Sequence, residues 1–521
     1  MEFAIFIFGI SSFCFCFFTA MDKSTKNFLF IISFFALAIG IYLYRPYGLY
    51  FLADDFIHIP ESINNLWTQR NSLRPIGNIS LHIDYLLSNI SAKGYHVTNL
   101  LLHLINTFLV FLLGRTLLKK YAENDTDSWF PLIAAGAFFV YPFHSETIFW
   151  IIGRSGSLGT LFFLPALILF LQRGKSIFYF IGSLLCFELA LLSYESSWVF
   201  PLIAIAIVEV NFLKGKKKRE TLYVAVVWFV FVLHLFLRGR FTGALFNNYD
   251  TGSLLHLSLK SLALNGMRLF ARTLLPPFAN AQWLIVSLFV AVMFLVALVV
   301  KFYRHKQAKP LFVLLTTAWL VSYIPYLSLG IDTHGVEGER YLYMPSVFFC
   351  LWLMYVLYKI INKRVQLFFS IVFIAVSFFY LNQSRLYYTK AGNIAKSTIE
   401  EVGKLKNKEA IFIENLPQYN NGAIVFRLGF EEAVQWLQPA FHNKCNILSI
   451  DSSDVIRNAY YSNKFVVNYS NTKNDFPITQ LMLKDKNFKT NYIKTDVHFP
   501  SFTRDKHALF VYSDSSLTIF K

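Results

Sequence analysis

Long apolar runs, separated by short loops, dominate this chain and dictate its environment. A helix needs about 20 mostly apolar residues to cross a bilayer. Runs of that order lie near 27–44, 97–117, 129–143, 156–172, 177–194, 197–213, 221–238, 282–301, 311–329, 342–361 and 365–381. The expectation is an α-helical polytopic membrane protein with about eleven transmembrane helices. Composition agrees: 55% of the residues are apolar and 15% charged, where a soluble domain carries about 25% charge. A soluble enzyme is excluded. Cys14, Cys16, Cys186 and Cys350 lie in apolar runs and only Cys445 in a polar stretch, so neither a disulfide framework nor a thiolate metal cluster is expected.

Charge gives the runs a direction. Lys and Arg outnumber Asp and Glu by 48 to 31. The surplus sits at Lys23 and Lys26, Lys119-Lys120, Arg173 with Lys175, Lys214 to Arg219, Lys301 to Lys309, and Lys359 to Arg364. These groups fall in alternate loops, as basic cytoplasmic loops do, so the surplus calls for no nucleic-acid partner. The amino end is then cytoplasmic and, with an odd number of spans, the carboxyl end outside. The expected location is a bacterial inner (plasma) membrane.

Three regions follow: 1–26, an amino-terminal segment of uncertain status; 27–387, a transmembrane domain with chemically rich outer loops; and 388–521, an extracytoplasmic α/β accessory domain. Residues 1–20 are apolar without a basic leader, and Met21-Asp-Lys-Ser-Thr-Lys reads as a fresh start. An over-extended start and a real extra segment both fit. After about 388 polar residues dominate, and short β-rich runs recur at Ala410–Ile413, Asn446–Ile450, Phe465–Tyr469, Ala508–Tyr512 and Leu517–Phe520. Helical spacing covers Ile394–Leu405 and Phe430–Leu437.

The polar residues worth singling out lie in the outer loops. Asp54-Asp55 directly follows an apolar stretch. Adjacent carboxylates at a membrane edge are costly unless solvated or paired, so they read either as a solvated loop start or as a general base or metal ligand. Arg74 follows in the same loop. His96, Asn99 and His103 share one helical face, suited to interhelical hydrogen bonds or to a wet cavity. His144 and Glu146 offer a cation two ligands, too few to make a site, and Arg154 is an alternative partner for Glu146. Glu195 sits at another outer edge. Residues 253–275, with Lys260, Arg268 and Arg272, form either an interfacial helix on anionic headgroups or a groove for a lipid-linked phosphate. Arg340, with Tyr341 beside it, precedes an apolar run. Its fork suits phosphate, and a salt bridge to Glu337, Glu339 or another loop acid is the competing reading.

Together the Asp-Asp pair, RPIGNISLHIDYLL…GYHVTNLLLHLINTFLVFLL, HSETIFWIIGRSGSLGTLFFLPALILFL and ERYLYMPSVFF resemble membrane glycosyltransferases of the GT-C superfold. The chain is most similar to the tetratricopeptide-containing O-mannosyltransferases and their bacterial protein O-mannosyltransferase-like relatives. The resemblance covers roughly residues 27–385. The carboxyl-terminal stretch departs from it, showing no tetratricopeptide pattern, which puts the acceptor in doubt. IFIENLPQYNNGAIVFRLGFEEAVQW is similar to the tails of uncharacterised bacterial members.

The resemblance implies an inverting transfer of a sugar from a polyprenyl-phosphate donor to an extracytoplasmic acceptor that is protein, glycan or lipid, with membrane lipids as surroundings. It implies catalytic roles for Asp54 and Asp55, with Asp54 favoured as base. Arg340, Arg74, Arg268 and Arg272 are expected around the donor phosphate. His96, His144, Glu146, Arg154, Glu195 and Tyr341 are further site candidates without distinct roles. No cofactor is required, and a divalent cation remains open. The competing function is a transporter or flippase of lipid-linked glycans. Such proteins place charged sites near the bilayer midplane within inverted repeats; here the acids cluster at outer edges and no repeat is visible.

Overall fold

The computed structural model describes Gly40 and residues 48–69, 72–122, 129–212, 220–243, 258–278, 280–303, 309–405, 410–414 and 416–438, together with strands between 446 and 519. The expected first span at 27–44, apart from Gly40, lies outside the described residues, as does the loop run Lys214 to Arg219.

Helices occupy the other apolar runs. A short helix α1 (Asp55–Asn64) and α2 (Pro75–Ser88), joined by a hairpin of β1 (Thr68–Gln69) and β2 (Ser72–Leu73), fill the first loop. Then come α3 (Ala92–Tyr121), α4 (Phe130–Phe139), α5 (Ser145–Phe149), α6 (Arg154–Gln172), α7 (Ile177–Leu191), α8 (Phe200–Phe212) and α9 (Glu220–Thr242). They are followed by α10 (Leu259–Leu274), α11 (Ala281–Phe302), α12 (Lys309–Val321), α13 (Tyr343–Ile360) and α14 (Lys363–Gly403). Among the described residues, seven helical stretches are long and apolar enough to cross a membrane. The first expected span lies outside the described residues, and the runs at 129–143, 177–194 and 311–329 hold the shorter helices α4, α7 and α12. Pro142 follows α4 closely, and the residue before a proline is pushed out of helical geometry.

Several starts are fixed locally. The side chains of Ser176, Ser258, Asn280 and Asn362 each accept a backbone N–H in the first turn of α7, α10, α11 and α14, supplying an acceptor to donors a helix cannot satisfy itself. Burial then sorts the helices. In α13, 89% of the apolar window is buried, against 6% in α11 and 11% in α9. So α13 is the centre of the bundle, packed on α12 and α4, while α9 and α11 present Phe229, Phe236, Phe289 and Val290 outward. An apolar exterior is what lipid requires.

Contacts along the helices fix their relative direction. Near their amino ends, Asn106 of α3 donates to the Ser157 carbonyl of α6, and His103 of α3 bonds the Tyr343 hydroxyl of α13. At the far end Lys120 of α3 donates to the Leu171 carbonyl at 2.5 Å. Helices α3, α6 and α13 therefore run parallel, and α9 runs against them, from Glu220 beside Arg173 to Arg238 beside Glu195. The basic groups Lys119-Lys120, Arg173 and Lys359 lie at the carboxyl ends of the parallel helices. Arg154 and Arg340 lie at amino ends. At about 1.5 Å per residue, the 19 residues of α6 separate the two ends by roughly 28 Å, close to a bilayer core.

Helix α14 continues for 41 residues, past residue 388, and leads into strands. These form a four-stranded sheet of order β11-β10-β3-β6, where β3 is Ala410–Glu414, β6 Asn446–Ile450, β10 His507–Ser513 and β11 Ser516–Ile519. Strand β3 pairs in parallel with both neighbours, and β10 with β11 antiparallel. A second sheet joins β7 (Phe465–Tyr469), β8 (Ile478–Leu483) and β9 (Ile493–Thr495). Between β3 and β6 lie the hairpin β4 (Tyr419–Asn420)–β5 (Ala423–Ile424) and helix α15 (Phe430–Leu437), which packs on α1 and α14.

The two ends should face opposite compartments. In a protein freed of its native cysteines, Lys93→Cys, exposed in the first turn of α3, and Lys175→Cys, after α6, should react with a membrane-impermeant maleimide from opposite sides of sealed vesicles. Labelling of both from one side would contradict this arrangement.

Candidate functional site

The end carrying the amino termini of α3, α6 and α13 holds a set of acids, each met by an arginine. Helix amino termini carry partial positive charge, so the backbone already favours anions here. Glu146 of α5 is fully buried. It accepts the backbone N–H of Gly338 at 3.1 Å, and both the backbone N–H and Nη1 of Arg340 at 3.0 Å. Arg340 follows Gly338, whose φ of +90° turns the chain into the helical turn Glu339–Leu342. Its guanidinium lies 5.3 Å from the Trp150 ring centre and 4.6 Å from that of Tyr341, and donates to the Tyr341 hydroxyl. About a fifth of the Arg340 side chain stays exposed. The salt bridge that competed with the phosphate reading of Arg340 is present, and its partner is Glu146, a loop acid other than Glu337 and Glu339.

Arg154 does not pair with Glu146. It is buried against Asp84 of α2 and also donates to Ser80 and to the Tyr95 carbonyl. Arg74 bonds Glu195 through Nε at 3.1 Å and Nη2 at 2.6 Å, and Arg238 of α9 meets the other oxygen of Glu195 at 3.0 Å. Arg272 of α10 is fully buried on Glu339 at 2.6 Å, with Ser145 donating to the same carboxylate. Arg268, one turn back, is exposed and takes no part in these pairs.

The histidines knit the framework. His96 bonds the Tyr50 carbonyl, Asn99 the Trp150 carbonyl, and His103 the Tyr343 hydroxyl and Phe139 carbonyl. His144 bonds Ser346 and packs 4.5 Å from the Tyr343 ring centre. Among the described residues, no three His, Cys, Asp or Glu side chains gather as a metal site. A divalent cation would need several oxygen ligands, and the acids named here are already committed to arginines.

The two aspartates have opposite surroundings. Asp55 is fully buried; Oδ2 accepts the Leu52 N–H at 2.9 Å and Oδ1 the Ile152 N–H at 3.0 Å. It clamps the first loop to the turn before α6. Burial pushes its carboxyl up to about 8, against the pull of those two N–H bonds. Asp54 precedes α1 without capping it. Ala53 before it has a φ of +44°, a left-handed geometry that costs a residue with Cβ. Its N–H is held by the Val425 carbonyl at 2.8 Å. Oδ2 of Asp54 faces Nη2 of Arg427 at 3.4 Å, while Oδ1 is buried without a hydrogen-bond partner. Arg427 also bonds Glu337, whose other oxygen accepts the Tyr419 hydroxyl at 3.1 Å. Burial works against the Arg427 charge, but Asp54 and Glu337 outweigh it and raise its pKa.

Sequence reasoning missed Arg427, Asp84, Trp150 and Arg238. The only signal for Arg427 was its place inside IFIENLPQYNNGAIVFRLGFEEAVQW. Beside the buried Arg272, Leu275 and the α11 residues Trp283, Val286, Val290 and Phe294 line an apolar cleft of about 490 Å³.

Comparison with known proteins finds distant relatives. No protein-family profile matches the chain. The protein O-mannosyl-transferase F38B6.6 of Caenorhabditis elegans is 27% identical over 300 residues, which is 54% of this chain and 41% of that protein. The protein O-mannosyl-transferase Tmtc1 of Drosophila melanogaster is 39% identical over 85 residues, 16% of this chain and 9% of that protein. The matches thus span less than half the length of these relatives. Among solved structures, ArnT from Cupriavidus metallidurans bound to undecaprenyl phosphate aligns over 83% of this chain and 87% of that one, with 10% identity and a TM-score of 0.41. The chain is a distant homologue of the protein O-mannosyl-transferases.

Asp55 gives the site a pH signature. With its carboxyl raised to about 8 from the model-compound 3.8, the folded protein keeps a proton that the unfolded chain has already released. This contribution to stability is greatest below the unfolded value and is lost as pH rises through about 8. Thermal stability should therefore decline between pH 5 and 8. Asp55→Asn should cost about 1–3 kcal/mol at pH 5 by leaving one buried N–H poorly satisfied, and should flatten the decline. A decline that survives the substitution unchanged would assign it elsewhere.

Proposed function

We propose that the chain is an integral-membrane inverting glycosyltransferase of the GT-C type, which moves a sugar from a polyprenyl-phosphate donor to an extracytoplasmic acceptor. The observation that carries this reading is the buried, unpartnered Oδ1 of Asp54, in a cluster with Arg427 and Glu337 at one end of the bundle. A buried acceptor without a donor is expensive, and an acceptor hydroxyl would satisfy it. The O-mannosyl-transferase relatives, the polyprenyl-phosphate chemistry implied by the motifs, and the membrane setting all support the same reaction class.

The residues divide the work. Asp54 takes the proton from the acceptor hydroxyl as its oxygen attacks the anomeric carbon. The bond from that carbon to the phosphate oxygen breaks on the opposite face, and the phosphate leaves with the electron pair. Arg340 stabilises the charge that grows on it, since a donor fixed in advance costs no reorganisation as charge develops. Tyr341 offers aromatic surface to the sugar, and the buried Trp150 backs the Arg340 guanidinium. Asp55, largely protonated near neutral pH, positions the loop and is not the base. The apolar cleft beside α11 offers a path for the lipid tail. The end bearing Asp54 and Arg340 faces outward, as the basic residues at the other end imply, and the strands after α15 form an accessory part.

The acids lie at one end of long helices rather than at their midpoints, which favours a transferase over a flippase. Removing a general base costs about 100- to 10,000-fold in rate. Asp54→Asn, nearly isosteric, should retain donor binding and lose turnover in that range. Arg340→Lys, which keeps charge but loses the fork, should be impaired, and Arg340→Ala more so. Normal turnover in Asp54→Asn would reject the mechanism; normal donor affinity and turnover in Arg340→Ala would reject that residue's role.

A further inference from the structure

The segment 416–438 is built into the site rather than resting on it. Its hairpin turns through Asn421 and Gly422, with φ of +49° and +88°, the paired left-handed geometry that an Asn-Gly turn supplies. A Cβ on Gly422 would lie 3.0 Å from Val336, so the hairpin leans on the loop that carries Glu337 and Arg340. Further on, Gly429 has a φ of +83°, and a Cβ there would lie 2.6 Å from the Ala53 carbonyl oxygen. Phe426 stacks on Phe56, and Trp436 meets Phe51 edge-on at 4.9 Å. The backbone bond from Ala53 to Val425 completes the seam. These contacts fall on Ala53, directly before Asp54, on Phe51 and Phe56 to either side of it, and on the loop that carries Glu337.

Arg427 is what this seam delivers. One branch of its guanidinium bonds Glu337, so the fork cannot rotate away; the other faces Oδ2 of Asp54. Glu337 is held in turn by Tyr419 from the same segment. One oxygen of Asp54 is therefore engaged, and the other is buried without a hydrogen-bond partner. A general base oriented by a third group has this geometry.

We infer that Arg427 is a positioning residue: it fixes the Asp54 carboxylate so that Oδ1 meets the acceptor hydroxyl, which makes the segment 416–438 part of the catalytic centre. The inference rests on the transferase reading above. It separates Arg427 from Arg340. Arg340 acts on the leaving phosphate, whereas Arg427 acts only through Asp54.

The test uses the full chain in proteoliposomes, with undecaprenyl-phosphate [3H]mannose as donor probe and membranes from cells lacking the protein as acceptor source. Arg427→Gln should lower kcat about 100-fold, the order found when a catalytic group is misplaced by an ångström, with donor KM within about twofold. Arg427→Lys should recover part of the loss. The double variant Asp54→Asn/Arg427→Gln should be no slower than Asp54→Asn alone. Full kcat in Arg427→Gln, a loss confined to donor KM, or multiplied losses in the double variant would overturn the inference while leaving Asp54 as base. A wild-type protein that transfers no label, or an Asp54→Asn variant at full rate, would instead reject the transferase reading. In that event the melting temperatures of the two single variants and the double still decide the pairing: losses smaller than additive uphold it, and additive losses reject it.

Discussion

The site depends on one buried carboxylate. Glu146 is out of contact with solvent, and taking a charge out of water costs several kcal/mol unless it is paired and hydrogen-bonded. Here it receives two backbone N–H groups from the turn 338–340 as well as the Arg340 guanidinium. The bonds that offset its burial are the same bonds that hold Arg340 between Trp150 and Tyr341. Gly153 presses on the other side, where a Cβ would lie 2.0 Å from the Glu146 carbonyl oxygen. The two segments are thereby locked at a fixed separation. Asp84 with Arg154, Glu195 with Arg74 and Arg238, and Glu339 with Arg272 repeat the arrangement around it.

Such a framework makes the difference between Asp54 and Asp55 meaningful. Neighbouring acids take distinct roles when their surroundings push their proton affinities apart. Asp55 spends both oxygens on backbone donors and keeps its proton to about 8. Asp54 leaves one oxygen unspent, in a turn whose left-handed Ala53 is a stored strain. Strain of this kind persists where the surroundings over-determine it, and the bond from Ala53 to Val425 is part of that determination.

The sequence made the helices legible because run length and loop charge are local properties. It made their lengths less so, since the runs at 129–143, 177–194 and 311–329 fold as helices shorter than the apolar runs. Individual site residues were also visible: acids and arginines beside apolar runs stand out in a chain with so few charges. Their partners were not visible. Glu146 pairs across 194 residues and Asp54 across 373, and nothing in a local pattern encodes such distances. Arg154 was given Glu146 and meets Asp84 instead, because pairing is set by which helix ends meet. Arg427 sits between the short strand β5 and helix α15, with no local pattern to mark it, so only the folded chain brings it to Asp54.

The central claim is that this end of the bundle breaks the bond between a sugar and a lipid phosphate rather than carrying the intact lipid across the bilayer. The direct measurement follows a β-linked polyprenyl-phosphate mannose, labelled in both sugar and phosphate, in proteoliposomes supplied with an acceptor-bearing membrane extract. The account predicts that the sugar label moves to the acceptor with α configuration while the phosphate label stays with the lipid. Joint movement of both labels to the opposite leaflet, with the donor intact, would contradict it.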